Sequence, residues 1–140
     1  MTPETLPPKV LSPKVLPPKV LLVDDDKEFR TVAALVLESA GYQVIEAVDG
    51  LTALEALRTE TPDVIISDLH MPVMDGRMFC KRVRAESELA VIPFVILSAY
   101  IESDGSNNLS DTPADYCFSK QSSFASLLPQ LENLIARTQK

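Results

Sequence analysis

Residues 62–76 read PDVIISDLHMPVMDG, and the reading of the chain turns on them. Val64 to Ser67 is a short run that is apolar on both faces, and it ends abruptly on a carboxylate, Asp68. A strand greasy on both sides needs cover on both sides, which is the situation in a parallel sheet sandwiched between helices. Asp75-Gly76 then supplies a turn, and Phe79 and Val83 follow at helical spacing.

Working outward, the same phrase returns. Val20 to Val23 is a strand closed by Asp24, Asp25 and Asp26, and Phe94 to Leu97 is a strand closed by Ser98. Gln43 to Ala47 and Ala114 to Phe118 read as two more strands, with Lys120 just past the second. Between them lie helical stripes: Phe29, Val32, Ala33, Val36, Leu37 and Ala40, stopped by Gly41, then Leu51, Leu54 and Leu57, stopped by Thr61-Pro62. Phe124, Leu127, Leu128, Leu131, Leu134 and Ile135 mark a last helix, with Ser122 or Ser123 as its cap. Pro129 falls inside that stripe, so the helix is kinked or starts near Ser126. Ser103 to Thr112 holds one apolar residue, Leu109, too few for a helix on a sheet, and a loop or poorly formed helix is expected. Alternating strands and helices imply an α/β fold with a doubly wound parallel sheet.

The bulk properties narrow the function. The chain has 140 residues, enough for one domain, and 46% are hydrophobic, enough for a core. A net charge of −7 argues against direct nucleic-acid binding, which needs a basic face. The longest apolar stretch, Ala90 to Ile101, is broken by Pro93 and Ser98 and falls short of the roughly 20 residues of a membrane span. The N-terminus has prolines and charges where a secretory signal has an apolar core, so a cytoplasmic address is expected and no membrane partner. Cys80 and Cys117 read as half-buried small residues, not as a disulfide or metal pair. Residues 1–18 stand apart. Pro8-Lys9-Val10-Leu11 recurs as Pro13-Lys14-Val15-Leu16 and Pro18-Lys19-Val20-Leu21. That proline density predicts a flexible tail without a partner, followed by one domain over residues 19–140.

Parallel sheets bind ligands at the carboxyl ends of their strands. Asp24, Asp25, Asp68, Ser98 and Lys120 all fall at such ends. Clustered carboxylates repel unless a cation joins them, and oxygen ligands without a neighbouring thiol suit magnesium. A hydroxyl and an ammonium beside a carboxylate nucleophile are what a phosphoryl group needs. Asp26 needs no metal role, since a carboxylate before a helix is already favoured by the helix dipole.

The chain resembles the receiver domain of two-component response regulators, the CheY-like family. The resemblance rests on LLVDDDKEFR (21–30), PDVIISDLHMPVMDG (62–76), VILSAY (95–100) and DYCFSK (115–120), and spans about residues 19 to 138. It implies a five-stranded flavodoxin-like sheet of order 2-1-3-4-5, here with a degenerate fourth helix. It implies Asp68 as phosphoacceptor and Mg2+ as cofactor. The metal would be held by Asp25 directly, by Asp24 largely through water, by Asp68, and by the backbone carbonyl of His70. Ser98, helped by the Ala99 amide, would hold a phosphoryl oxygen, and Lys120 would pair with Asp68 and then with the phosphoryl group. The donor would be a sensor histidine kinase or a histidine phosphotransfer protein. The chain would be a phosphoacceptor, not a metabolic enzyme, that at most catalyses its own loading and unloading.

The chain departs from the family pattern in its readout. Receivers usually carry an aromatic residue three positions before the lysine, where Cys117 stands, and a proline after it, where Gln121 stands. Tyr116 and Phe118 flank Cys117 but alternate to the other face. No effector segment follows in the sequence, so output is expected through a noncovalent partner protein or onward phosphotransfer. Three alternatives compete: a receiver-like docking module that is never phosphorylated, a hydrolase of the haloacid-dehalogenase type, and a flavodoxin-like cofactor carrier. The first is favoured by Cys117 and Ser103 to Thr112, and opposed by the complete set Asp24, Asp25, Asp68, Ser98 and Lys120. For the second, a capping domain is missing; for the third, a Ser/Thr/Gly-rich phosphate loop is.

Overall fold

The computed structural model describes residues 16–99 and 112–138. The elements run β1 (Lys19–Val23), α1 (Lys27–Ser39), β2 (Gln43–Ala47), α2 (Gly50–Ala56), β3 (Val64–Asp68), α3 (Gly76–Arg84), β4 (Phe94–Ser98), β5 (Tyr116–Ser119), a 3-10 turn (Phe124–Leu127) and α4 (Leu128–Thr138). The five strands form one sheet of order β2-β1-β3-β4-β5, with every pairing parallel. The expected doubly wound, flavodoxin-like architecture is therefore present.

Side chains alternate across the sheet, and each face has its own core. Val20, Leu22, Val64, Ile66, Val95, Leu97 and Phe118 pack with residues of α1 and α4. Leu21, Val23, Ile65, Phe94 and Ile96 pack on the other side with Ala53, Leu57, Phe79, Cys80 and Val83 of α2, its end and α3. The central strands β3 and β4 are buried at every position, which is why their sequences show no polar alternation.

Helix boundaries follow local chemistry. The Asp26 carboxylate accepts the amides of Glu28 and Phe29 to start α1. Gly41 ends it at φ +98, with Gly41 N–H on Glu38 and Tyr42 N–H on Leu37, the paired bonds of a Schellman motif. Asp49 and Asp75 cap α2 and α3 through the amides of Thr52 and Met78.

Several expectations need correction. On α1, Val32 is exposed and Ala34 is buried in its place, beside Ala33 and Leu37, so two of the buried side chains that face the sheet are small. Leu51 of α2 is likewise exposed. Strand β5 starts at Tyr116, two residues late: just before it the Asp115 amide donates to the Phe94 carbonyl, but the Phe94 N–H goes to the Asp115 carboxylate and not to a backbone carbonyl. The last helix neither kinks at Pro129 nor starts at Ser126. It starts at Leu128 after the 3-10 turn, so Pro129 falls in the first helical turn, where its missing N–H has no partner to lose. Ser123 precedes the 3-10 turn, but its side chain makes no capping bond. Cys80 is buried and Cys117 exposed, rather than both half-buried, and both are free. The degenerate fourth helix and most of the Pro-rich tail lie outside the described residues; of those segments, Thr112 is buried and Leu16 to Pro18 lead into β1. No helix among the described residues is long and apolar enough to cross a membrane.

Candidate phosphoryl and cation site

The carboxyl ends of β1, β3 and β4 bring the sequence's candidates to one rim. Asp24 follows Val23, whose register partner on β3 is Ser67, and Asp68 pairs with Leu97, one residue before Ser98. Ser98 in turn pairs with Ser119 on β5, and the Lys120 amide donates to the Ser98 carbonyl at 2.8 Å. Asp24, Asp68 and Ser98 are buried, whereas Asp25, His70 and Ala99 are exposed.

Asp24 is held by its own backbone. Its N–H donates to Ala47, its Oδ1 accepts the Asp26 amide, and its carbonyl accepts Arg30 Nη1 at 2.7 Å. Arg30 is steadied in turn by Glu46 of β2 at 2.9 Å. The second oxygen, Asp24 Oδ2, is fully buried and makes no aligned hydrogen bond. It meets the Lys120 ammonium at 2.8 Å, a contact of charge against charge. The same ammonium lies 3.5 Å from Asp68 Oδ1, the expected pairing, but it sits closer to Asp24, a partner the sequence did not suggest. The reason lies in burial: the carboxylate cut off from water most completely has the greatest need of a counter-ion.

The charges act on one another. Burial first, and then the Asp24 carboxylate, pushes the Asp68 carboxyl above its usual range, with Lys120 pulling the other way. Burial depresses the Lys120 ammonium, but Asp24 and Asp68 outweigh it and its pKa is raised. Oxygens of Asp24, Asp25 and Asp68 lie within 4.8 Å of one another. Three hard ligands at that spacing, one with a buried oxygen lacking an aligned hydrogen bond, fit a small divalent cation.

The loop from Leu69 to Asp75 folds back so that α3 begins against β3. Gly76 N–H donates to the Leu69 carbonyl at 2.7 Å, and a Cβ at Gly76 would strike the Asp68 carbonyl and come 2.9 Å from Leu69 Cα. Gly76 therefore allows the close approach that sets the backbone of Asp68, a role beyond the turn read from sequence. Val73, in the same loop, is the non-glycine residue with positive φ, at 70°, among those described.

Cys117 pairs with Ile96 and so faces the α2–α3 side of the sheet, while Phe118 faces α1 and α4. Neither flanking aromatic ring replaces it on its own face. No cis peptide bond occurs among the described residues, the Lys120–Gln121 bond included. Sequence reasoning missed Arg30 as the anchor of Asp24; its placement four residues beyond the Asp26 cap was the available signal. It also took Phe29 as core alone, whereas its ring lies under the Lys120 ammonium at 4.4 Å.

Comparison with known proteins agrees with this geometry. A family model described as the response regulator receiver domain matches residues 20–132. The DNA-binding dual master transcriptional regulator RpaA of Synechocystis is 32% identical over 120 residues, 86% of this chain and 50% of that protein. The chain thus spans half of that regulator's length, and about a third of the Streptomyces coelicolor transcriptional regulatory protein CseB. Among solved structures, the chemotaxis response regulator CheY4 of Vibrio cholerae superposes with a TM-score of 0.77 at 34% identity, covering 84% of this chain and 98% of that one. The receiver domain of the Pseudomonas aeruginosa sensor histidine kinase PA1611, described with a magnesium ion in its active-site cleft, gives 0.78 at 28% identity, covering 86% and 98%.

Proposed function

The chain belongs to the response regulator receiver domain family, and on that premise we propose that it is a phosphorylation switch that accepts a phosphoryl group on Asp68. The observation that carries the reading is the meeting of the Asp24, Asp25 and Asp68 oxygens within 4.8 Å, with the Lys120 ammonium 3.5 Å from Asp68. An acidic cluster next to one ammonium is poor as a purely structural device, because it is unfavourable until a cation arrives.

In this reading Asp25 and Asp68, with the His70 carbonyl, would hold Mg2+ directly, and Asp24 would hold it largely through water. The bound ion would neutralise charge on the phosphoryl oxygens. An Asp68 oxygen attacks phosphorus in line; the bond from phosphorus to the donor's histidine nitrogen breaks as the bond to Asp68 forms, and the imidazole leaves with the electron pair. Lys120 turns from Asp24 and Asp68 to a phosphoryl oxygen. Ser98 and the Ala99 amide donate to another. Water later attacks the acyl phosphate and releases inorganic phosphate, so the protein is a substrate of its kinase and not a metabolic enzyme. A sensor histidine kinase or histidine phosphotransfer protein is the donor, and output runs through a partner protein or onward phosphotransfer. The address proposed is cytoplasmic.

The test is intact mass after incubation with Mg2+ and acetyl phosphate, next to Asp68→Asn. A single magnesium-dependent phosphoryl adduct, absent from the variant, is expected. A folded chain with no adduct would sink the reading in favour of a docking module that keeps the fold without the chemistry.

A further inference from the structure

The Lys120 ammonium is held on three sides. Two are the carboxylates Asp24 and Asp68. The third is the face of the Phe29 ring, 4.4 Å from Nζ, inside the reach of a cation–π attraction. Phe29 is not free to swing. The Asp26 cap accepts its amide, and its ring meets Phe124 edge-on at 5.9 Å and 82°. Phe124 in turn meets Phe118 of β5 edge-on at 6.3 Å and 86°. Lys120 lies between Phe118 and Phe124 in sequence, so the segment that carries the ammonium also carries the braces of the ring beneath it.

We infer that Phe29 is a positioning residue for phosphoryl transfer: its ring holds the Lys120 ammonium beside Asp68 once a divalent cation has taken Asp24. The inference rests on the receiver reading above. Without the ring, an ammonium displaced from Asp24 keeps Asp68 alone, and water takes its other side. With it, the ammonium keeps a polarised ring face as a second partner beside the Asp68 oxygens. The aromatic chain ends on the α1–α4 side of the sheet, opposite the face of Cys117. The position of the ammonium is thereby coupled mechanically to Phe118, although Cys117 supplies no ring.

The experiment compares the unchanged chain with Phe29→Leu and Phe29→Tyr. Phe29→Leu keeps apolar bulk and removes the ring face, whereas Phe29→Tyr keeps both. At saturating Mg2+, acetyl phosphate should load Asp68 about three- to tenfold more slowly in Phe29→Leu, with the rate restored in Phe29→Tyr. Mg2+ affinity should change by less than about twofold, since the carboxylates are untouched. The proton resonances of the Lys120 ε-methylene should lie upfield in the unchanged chain and in Phe29→Tyr, and return to an ordinary position in Phe29→Leu. Wild-type loading in Phe29→Leu, or an ordinary ε-methylene shift in the unchanged chain, overturns the inference and leaves the receiver reading standing. Equal slowing in both variants with weakened Mg2+ binding also overturns it, because displacement of Asp24 and Asp25 at the start of α1 would then be the cause. No loading of the unchanged, folded chain removes the receiver chemistry and this role together, and that failure shows before any variant is compared.

Discussion

The Lys120 ammonium lies 2.8 Å from Asp24 and 3.5 Å from Asp68, so the lysine serves as counter-ion to the more deeply buried carboxylate. A divalent cation and this ammonium compete for Asp24. Removing the lysine should therefore tighten cation binding while removing the group that would hold a phosphoryl oxygen. Lys120→Ala is expected to lower the Mg2+ dissociation constant about tenfold, a modest part of the Coulomb repulsion between charges at such distances. Loading of Asp68 should fall sharply in the same variant. Calorimetric titration with Mg2+ checks the first part and phosphoprotein mass the second; weaker Mg2+ binding in Lys120→Ala would contradict the competition.

The carboxylate cluster should also appear in stability. Asp68 is nearly buried, and its carboxyl is raised above the usual range by burial and by Asp24, so its charge opposes folding in the absence of metal. Asp68→Asn removes that charge with little change in shape. Without Mg2+ the variant should be the more stable of the two. Saturating the unchanged chain at about a hundred times its dissociation constant should add about 2.7 kcal/mol, and Asp68→Asn should gain less. Urea unfolding with and without Mg2+ reads both effects.

The fold was legible because its three central strands are short, almost wholly apolar on both faces and each closed by a polar residue: Asp24 after Val23, Asp68 after Ser67, Ser98 after Leu97. Periodicity identified α1 but misjudged Val32 and Ala34, since a stripe ranks residues by hydrophobicity whereas close packing of a helix on a sheet selects small side chains. Pro129 was ambiguous for a related reason: sequence spacing does not separate a continuous helix from a 3-10 turn followed by one. At the site, residue types and strand ends brought Asp24, Asp25, Asp68, Ser98 and Lys120 together. The preference of Lys120 for Asp24, the Arg30 bond to the Asp24 carbonyl and the Phe29 ring depend on which atoms lose contact with water, and no one-dimensional pattern carries that.

Val73 is 86% exposed and sits at φ 70° in the loop after the phosphoacceptor. A β-branched residue in the left-handed region brings its Cβ against its own carbonyl, at about 1–2 kcal/mol. Its side chain has little packing to offset that. Val73→Gly should therefore stabilise the protein by about 1 kcal/mol, the relief being reduced by the greater freedom of glycine in the unfolded chain. Chemical denaturation measures the change. A loss of stability would mean that Val73 makes contacts its exposure does not suggest.

The two thiols should behave differently, and the difference should report on folding. Burial pushes the Cys80 thiol up to about 11 from its ordinary value of 9.0, and raises the more exposed Cys117 thiol in the same direction. Cys80 faces the core from α3 and should resist iodoacetamide at pH 8 until the chain unfolds, with Cys117 labelled first. The same shift gives a pH dependence of known sign. The folded chain keeps a proton that the unfolded chain releases, so this contribution to stability is complete below pH 9 and is lost as pH rises through about 11. The slope approaches about 1.4 kcal/mol per pH unit in that window. Tyr42, raised by burial and by Glu132, adds loss of the same sign above its ordinary value of 10.0. The discriminating comparison is therefore the slope between pH 9 and 10 in Cys80→Ala against the unchanged chain. A flatter slope in the variant is expected, whatever the cavity does to absolute stability; parallel slopes would mean that the Cys80 thiol titrates alike in the folded and unfolded chain.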